Sequence, residues 1–397
     1  MNAHTTVVGR GVREAVAASK KRHPATTLRP KVAAGPAPLQ FYVIGLVVAL
    51  LTILGLVMVL SASSVSLLHA GKSGWSYFVR QAIWSVLGAG MLIAGMRFSL
   101  PFVRRMIPVA LVIAYGLMCA VLVPGIGRKV NDARAWIGVG PISIQPAEVM
   151  KLVLAIYCAD LFARRADRMH EVRATLRPAL MLLMGAAVLA LAQPDLGGAI
   201  VLATIVLSSA FIAGAPMVPL ATVGLLGTAG ASLVMLSSSS RRDRWIAFLD
   251  LAKHKKDIGF QVWQSRVGIA SGGLSGVGLG ASKAKWGFLP EAHTDFIFSI
   301  VAEELGLIGV VIVVALFLLL GLFGVQVALR AQDRFSMVLA GGITSWLLVQ
   351  AIINIGGVIG IMPLTGLTLP FVSFGGSSLL VTMAAAGLLL NISRSAR

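Results

Sequence analysis

Apolar residues run along this chain in long unbroken stretches, at about 41–61, 77–96, 106–123, 146–163, 178–193, 197–213, 217–236, 295–325, 336–360 and 376–391. Most of these runs approach the roughly 20 residues that a helix needs to cross a bilayer. Within them the apolar positions do not alternate with polar ones, as the strands of a membrane barrel would require. A backbone in lipid must satisfy its own hydrogen bonds, so continuous runs of this length predict helices. The pattern therefore predicts an all-α polytopic membrane protein of about ten transmembrane helices, with both termini on one side.

Composition agrees: hydrophobic residues make up 57% of the 397 positions and charged residues 12%, against about 25% charged in soluble domains. A formal net charge of +19 would suggest nucleic acid in a soluble protein. Here the cations sit between the spans, and no nucleic-acid partner is expected. Residues 1–38 carry Arg10, Arg13, Lys20, Lys21, Arg22, Arg29 and Lys31 among Ala, Thr and Pro. This segment reads as a disordered basic cytoplasmic tail preceding a membrane domain at 39–397. Short loops rich in Lys and Arg face the cytoplasm. Arg97, Arg104 and Arg105, then Arg164, Arg165, Arg168, Arg173 and Arg177, then Arg330 and Arg334 all fall on the tail's side, whereas 194–196 and 361–375 hold no cation. Both termini are thus expected in the cytoplasm. Cys119 and Cys158 lie in apolar runs and suggest neither a disulfide nor a metal site.

Two outer loops exceed what a connection needs, at about 124–146 and, between spans seven and eight, at about 237–294. The longer one carries Arg241, Arg242, Arg244, Lys253, Lys255, Lys256, Arg266, Lys283 and Lys285 interleaved with Trp245, Phe248, Phe260, Trp263, Trp286 and Phe288. That mixture suits amphipathic segments lying on the outer leaflet. An anionic ligand at this surface would account for so many cations.

Ionisable groups inside spans are costly and mark candidate chemistry. Glu148 and Lys151 stand three apart on one helical face, after Pro146 at a helix start. They read either as an ion pair fixing the fourth span or as a polar patch facing an outward cavity. Asp195, in the turn Gln193-Pro194-Asp195-Leu196-Gly197, reads first as an N-cap. Asp295 stands at the water–lipid boundary where the basic loop re-enters the membrane; it reads as a cap or as a general base. Glu303 and Glu304 are expected some 12 Å deeper along the same helix. His293 has no second ligand at helical spacing. Asn354 to Ser378, rich in Gly, Pro and Ser, predicts irregular backbone lining a wet cavity. The glycine-rich stretch 272–280 lacks the Lys-Ser/Thr of a nucleotide loop.

These motifs carry a resemblance. Ala133 to Ile137 with Gln145 to Glu148, Gln193 to Gly197, Phe288 to Glu304, and the run from Asn354 to Ser378 are similar, in order, to the SEDS family of shape, elongation, division and sporulation proteins. Phe374 stands where many members have Tyr, and Ala147 where Ser is frequent. The stretches 290–295 and 365–370, with the long tail, resemble the division branch more than the elongation branch. The resemblance implies a peptidoglycan glycosyltransferase of the bacterial cytoplasmic membrane, acting at the septum on lipid II. It implies Asp295 as general base, with Glu148, Lys151, Arg244, Lys283, Lys285 and Ser377 as substrate-binding residues. No cofactor is certain; a divalent cation, Mg or Mn, would suit the pyrophosphate. The implied partners are a class B penicillin-binding transpeptidase and other division-complex membrane proteins. The rival readings are a lipid II flippase and a non-catalytic scaffold.

Overall fold

The structure is a computed structural model that describes residues 36–69, 71–130, 133–139, 142–237, 239–286 and 289–395. The basic tail expected at 1–38 lies, but for its last three residues, outside the described residues. The membrane unit is built from α1 (Leu39–His69), α2 (Ser76–Arg97), the short α3 (Leu100–Arg105) and α4 (Ile107–Leu122). A small sheet follows, then α5 (Pro146–Arg164), α6 (Leu176–Ala192), α7 (Leu196–Ile212) and α8 (Met217–Leu236). The long loop contributes α9 (Ser239–Leu249) and α10 (Phe260–Gly272), before α11 (Ile297–Leu329), α12 (Arg334–Ile359) and α13 (Gly376–Ser395).

Among the described residues α1, α2, α8, α11, α12 and α13 are long and apolar enough to cross a membrane, and α4, α6 and α7 are shorter apolar helices. The tenth span is α5, whose 19 residues include Glu148, Lys151, Asp160 and Arg164. It tolerates them because α4, α7 and α12 surround it. Glu148, Lys151 and Asp160 are all buried. On the side of the chain ends Asp160 pairs with Arg104 at 2.7 Å and Arg164 at 2.8 Å. The Arg394 guanidinium lies 4.8 Å from the Phe41 ring centroid, which places the two described ends of the chain on one side.

The expected loop at 124–146 is not wholly irregular. It forms an antiparallel sheet of β1 (Gly127–Val130), β2 (Ala133–Val139) and β3 (Ile142–Ile144), in that order, with an irregularity between Arg128 and Lys129. Strands this short and without alternation give no periodic signal.

The larger difference from the sequence expectation is in α11. Gly306 adopts φ 66°, ψ −161° inside it, a region essentially restricted to glycine. Residues 307–329 run antiparallel to α12: a Cβ on Gly324 would meet Thr344 and one on Gly321 would meet Leu348. Residues 297–305 run the other way. The Asn354 amide donates to the Asp295 carbonyl at 2.9 Å. Four residues on, Ser299 Oγ donates to the Ser265 carbonyl at 3.0 Å, and Ser265 Oγ donates to Val358 at 2.8 Å. Advancing from 295 to 299 therefore follows α12 from 354 to 358. Helix α1 confirms the direction: Gly55 abuts Phe371 and Val372 beside the Asp295 loop, whereas Ser61 reaches Glu304. Six residues of helix separate those levels by about 9 Å. Glu303 and Glu304 thus stand further from the chain ends than Asp295, not deeper in the membrane as the unbroken apolar run suggested.

Candidate functional site

On the face away from the chain ends, the start of α5, the α6–α7 turn, the segment before α11 and the loop between α12 and α13 converge. Pro146 occupies the first turn of α5, where its missing N–H costs nothing. One turn in, Lys151 Nζ donates to Glu148 Oε1 at 2.7 Å and to Gln350 Oε1 at 3.1 Å. Gln350 Oε1 also accepts from Trp346 Nε1 at 2.9 Å, and its Nε2 donates to Thr368 O at 3.0 Å. Burying both charges costs several kcal/mol per ion, so such a pair needs these added hydrogen bonds to persist. The pair is satisfied on one side only: buried Glu148 Oε2 has no hydrogen-bond partner among the described residues.

Asp195 does cap α7, as the local sequence suggests: its Oδ1 accepts from the Gly198 amide at 2.7 Å. Its Oδ2 accepts from Gln145 Nε2 at 3.3 Å, which joins the turn to α5. Desolvation raises the Asp195 carboxyl above the usual carboxylate range, while the Gly198 amide and Lys151 pull it down. Ser377, in the first turn of α13, is buried and accepts the Gln145 amide at 3.2 Å. Its hydroxyl proton is left for another acceptor.

Asp295 precedes this cluster by one held strand of backbone. Phe296 takes the N-cap position of α11, so Asp295 stands one residue ahead of a cap. Its carbonyl and that of Leu367 share the Asn354 amide, at 2.9 and 2.7 Å. Ser373 Oγ donates to Thr294 O at 2.7 Å, and the Phe374 amide donates to His293 O at 3.0 Å. The His293 ring stacks on Tyr77 at 4.5 Å. Burial holds the His293 imidazole below its ordinary pKa, with Glu291 acting the other way. The partly exposed Asp295 carboxyl faces Gly366: a Cβ there would lie 3.5 Å from Oδ2, and Gly366 has φ 73°. The base candidate and the ion pair are thus linked through Gln350, Thr368, Leu367 and Asn354. Sequence reading named neither amide of α12 as a site residue, although a Gln and an Asn in an apolar span are themselves a signal.

The loop cations divide. Lys285 is buried at 3% exposure and bonds Glu304 at 3.2 Å and the Gly280 carbonyl at 2.6 Å. Its ammonium is thus paired inside the protein rather than open at the surface. Arg266 donates to the Ile359 and Gly360 carbonyls at 2.9 Å and so closes the end of α12. Lys255 sits 5.4 Å from the Trp263 ring centroid. Lys283 is exposed. Arg244 lies on α9, and its side chain is outside the described residues, as is Phe288. No group of three or more His, Cys, Asp or Glu among the described residues is placed to hold a metal ion.

The model of the cell cycle protein family typified by FtsW, RodA and SpoVE matches residues 41–397. The chain belongs to this family. A probable peptidoglycan glycosyltransferase FtsW of Mycobacterium tuberculosis is 41% identical over 362 residues, covering 89% of this chain and 68% of that protein. Stage V sporulation protein E of Bacillus subtilis is 38% identical over 352 residues, covering 89% and 96%. Among solved structures, a chain of a peptidoglycan synthase complex superposes with a TM-score of 0.72 at 30% identity, covering 89% of this chain and 97% of that one. The rod shape determining protein RodA of Thermus thermophilus gives a TM-score of 0.66 at 30% identity, covering 89% and 96%.

The ion pair gives a first prediction. Glu148→Gln leaves the Lys151 ammonium buried without its counter-charge and should cost about 3–5 kcal/mol. Glu148→Lys with Lys151→Glu restores the pair in reverse. If the pair only stabilises α5, the swap recovers activity; with fixed roles toward substrate it folds and stays inactive. We expect the inactive, folded swap, measured by thermal melt and glycan synthesis.

Proposed function

We propose that this membrane protein is a peptidoglycan glycosyltransferase that polymerises lipid II at the outer face of the cytoplasmic membrane during septal wall synthesis. The observation that carries the reading is Asp295, whose backbone carbonyl is held by the Asn354 amide at the end of the bundle away from the chain ends, and which is linked to a buried Glu148–Lys151 pair whose Oε2 has no partner among the described residues. In the reaction, the C4 hydroxyl of one sugar attacks the anomeric carbon of another. The new C–O bond forms as the bond to undecaprenyl pyrophosphate breaks, the anomeric configuration inverts, and the hydroxyl proton passes to Asp295. A positioned base contributes about 10²–10⁴-fold. Glu148 Oε2 offers an acceptor for a substrate hydroxyl or amide, and Ser377 offers a donor. The departing pyrophosphate needs cations in a site of low dielectric, and the exposed Lys283 is placed at the surface for that role.

The likeness to a peptidoglycan synthase chain supports a class B penicillin-binding transpeptidase as partner. The basic tail, the Arg394–Phe41 contact and the cations near Asp160 support cytoplasmic termini. A second prediction tests this topology: an impermeant thiol reagent added outside should label Ser239→Cys and spare Arg168→Cys. Equal labelling of both would overturn the orientation. The functional test uses the purified protein in vesicles with labelled lipid II. Glycan strands are the expected product; movement of label across the bilayer without polymer would establish a flippase instead.

A further inference from the structure

The glycine-rich stretch 272–280 and the adjacent carboxylates Glu303 and Glu304 take no part in the reaction above, yet they form one of the most densely hydrogen-bonded places in the molecule. Both residues are 1% exposed. The Glu303 carboxylate accepts from Ser282 Oγ at 2.5 Å, the Lys283 amide at 2.8 Å, the Ala284 amide at 3.4 Å and Ser271 Oγ at 3.5 Å. That of Glu304 accepts from Ser61 Oγ at 2.6 Å, Lys285 Nζ at 3.2 Å and the Ser282 amide at 3.3 Å. The backbone adds to this, as the amides of Val277 and Gly278 donate to the carbonyls of Glu303 and Glu304 at 3.0 and 3.1 Å. Glycine is needed for that approach: a Cβ on Gly276 would lie 2.1 Å from the Glu304 carbonyl oxygen.

These carboxylates end the same short helix, 297–305, that begins beside Asp295. A helix of that length is rigid, and eight residues of it span about 12 Å. Its lower end is held by Asn354 through the Asp295 carbonyl, and its upper end by Ser61 of α1 and the strap 282–285. An apolar contact would bury the same surface without desolvating two carboxylates, and buried charge is weak evidence for stability as such. What directional bonds from seven separate donor groups supply is a fixed position. We propose that Glu303 and Glu304 are positioning residues for the glycosyl transfer: they lock the strut 297–305 against α1 and the strap, and so set where the Asp295 carboxyl meets the acceptor hydroxyl. The proposal rests on Asp295 being the base.

The test is steady-state lipid II polymerisation by full-length Glu303→Gln and Glu304→Gln, per folded protein, with Asp295→Asn in parallel. A displacement near 1 Å can cost about 10²-fold, so kcat should fall tenfold or more while KM for lipid II stays within twofold. A second readout needs no turnover. In a background lacking Cys119 and Cys158, a cysteine replacing buried Ala284 should react with a thiol reagent at least tenfold faster when Glu303 is Gln. Should the carboxamide variants not fold, Ser61→Ala with Ser282→Ala keeps both carboxylates, removes one hydroxyl donor from each, and should lower kcat at least about fivefold. Folded variants that keep wild-type kcat, or a strap cysteine that stays protected, overturn the positioning role. If Asp295→Asn itself is fully active, the base assignment fails and this proposal falls with it. An inactive Asp295→Asn beside fully active Glu303→Gln and Glu304→Gln removes the positioning role alone.

Discussion

Gly306→Ala is expected to abolish the native membrane fold around the site, although it adds one methyl group to a 33-residue apolar helix. The new Cβ would lie 2.3 Å from the Gly276 amide nitrogen and 2.5 Å from the Leu274 carbonyl oxygen. Both are backbone atoms, which have no rotamer with which to move aside. The conformation itself, φ 66° with ψ −161°, costs a side-chain-bearing residue about 1–3 kcal/mol before any clash. Relieving the clash requires separating 273–278 from 303–308, which breaks the Leu307 to Gly273 and Ile308 to Leu274 hydrogen bonds. The sum should exceed about 4 kcal/mol, in the range reserved for backbone strain combined with disrupted packing. The measurement is thermal unfolding in detergent with Gly90→Ala as control. Gly90 lies within α2 with nothing near its Cβ, so alanine there should be neutral or gain up to about 1 kcal/mol of helix propensity. A Gly306→Ala protein that melts with the wild type would contradict the reversal in α11.

That reversal marks the boundary of what the residues disclosed. The spans were legible because length and hydrophobicity decide them, and α12 and α13 follow the apolar runs to within a few residues. Helix α5 is legible from its apolar run as well, although four charged side chains interrupt it. Gly306 was hidden because a glycine in an apolar run is ordinary, and only its dihedral angles distinguish a turn from a bystander. Consequently Glu303 and Glu304 were assigned the wrong depth. The fates of Lys285 and Arg266 were hidden for another reason. Counting cations in a loop records charge but not the carboxylate or helix end each one will meet after folding. Asp195 shows the opposite case, because an acidic residue just before Leu-Gly-Gly in a short turn has one nearby set of donors. Of the candidate site, the motifs single out Glu148, Lys151, Asp295 and Ser377, which the fold brings near one another, whereas Gln350, which joins two of them, is a lone amide within an apolar run and Asn354 stands out in sequence only as the start of a Gly-, Pro- and Ser-rich stretch.

Asp295 carries the proposed chemistry. Asparagine is nearly isosteric with aspartate, and the Asp295 backbone carbonyl that Asn354 holds is untouched by the exchange. Phe296 rather than Asp295 occupies the N-cap of α11, so loss of a cap should not dominate; even a lost cap costs about 1 kcal/mol. Asp295→Asn should therefore insert, fold and bind lipid II as the wild type does. It cannot accept the proton of the attacking hydroxyl, and polymerisation should fall by roughly 10²-fold or more. Asp295→Glu should recover only part of the rate, since a carboxyl displaced by about 1 Å meets the hydroxyl in the wrong geometry. The decisive measurement is glycan-strand formation from lipid II by purified Asp295→Asn, with a transpeptidase partner present and folding verified by thermal melt. The account predicts a folded protein that binds lipid II and makes no strands above about 1% of the wild-type rate; a folded Asp295→Asn protein that polymerises lipid II at the wild-type rate would contradict it.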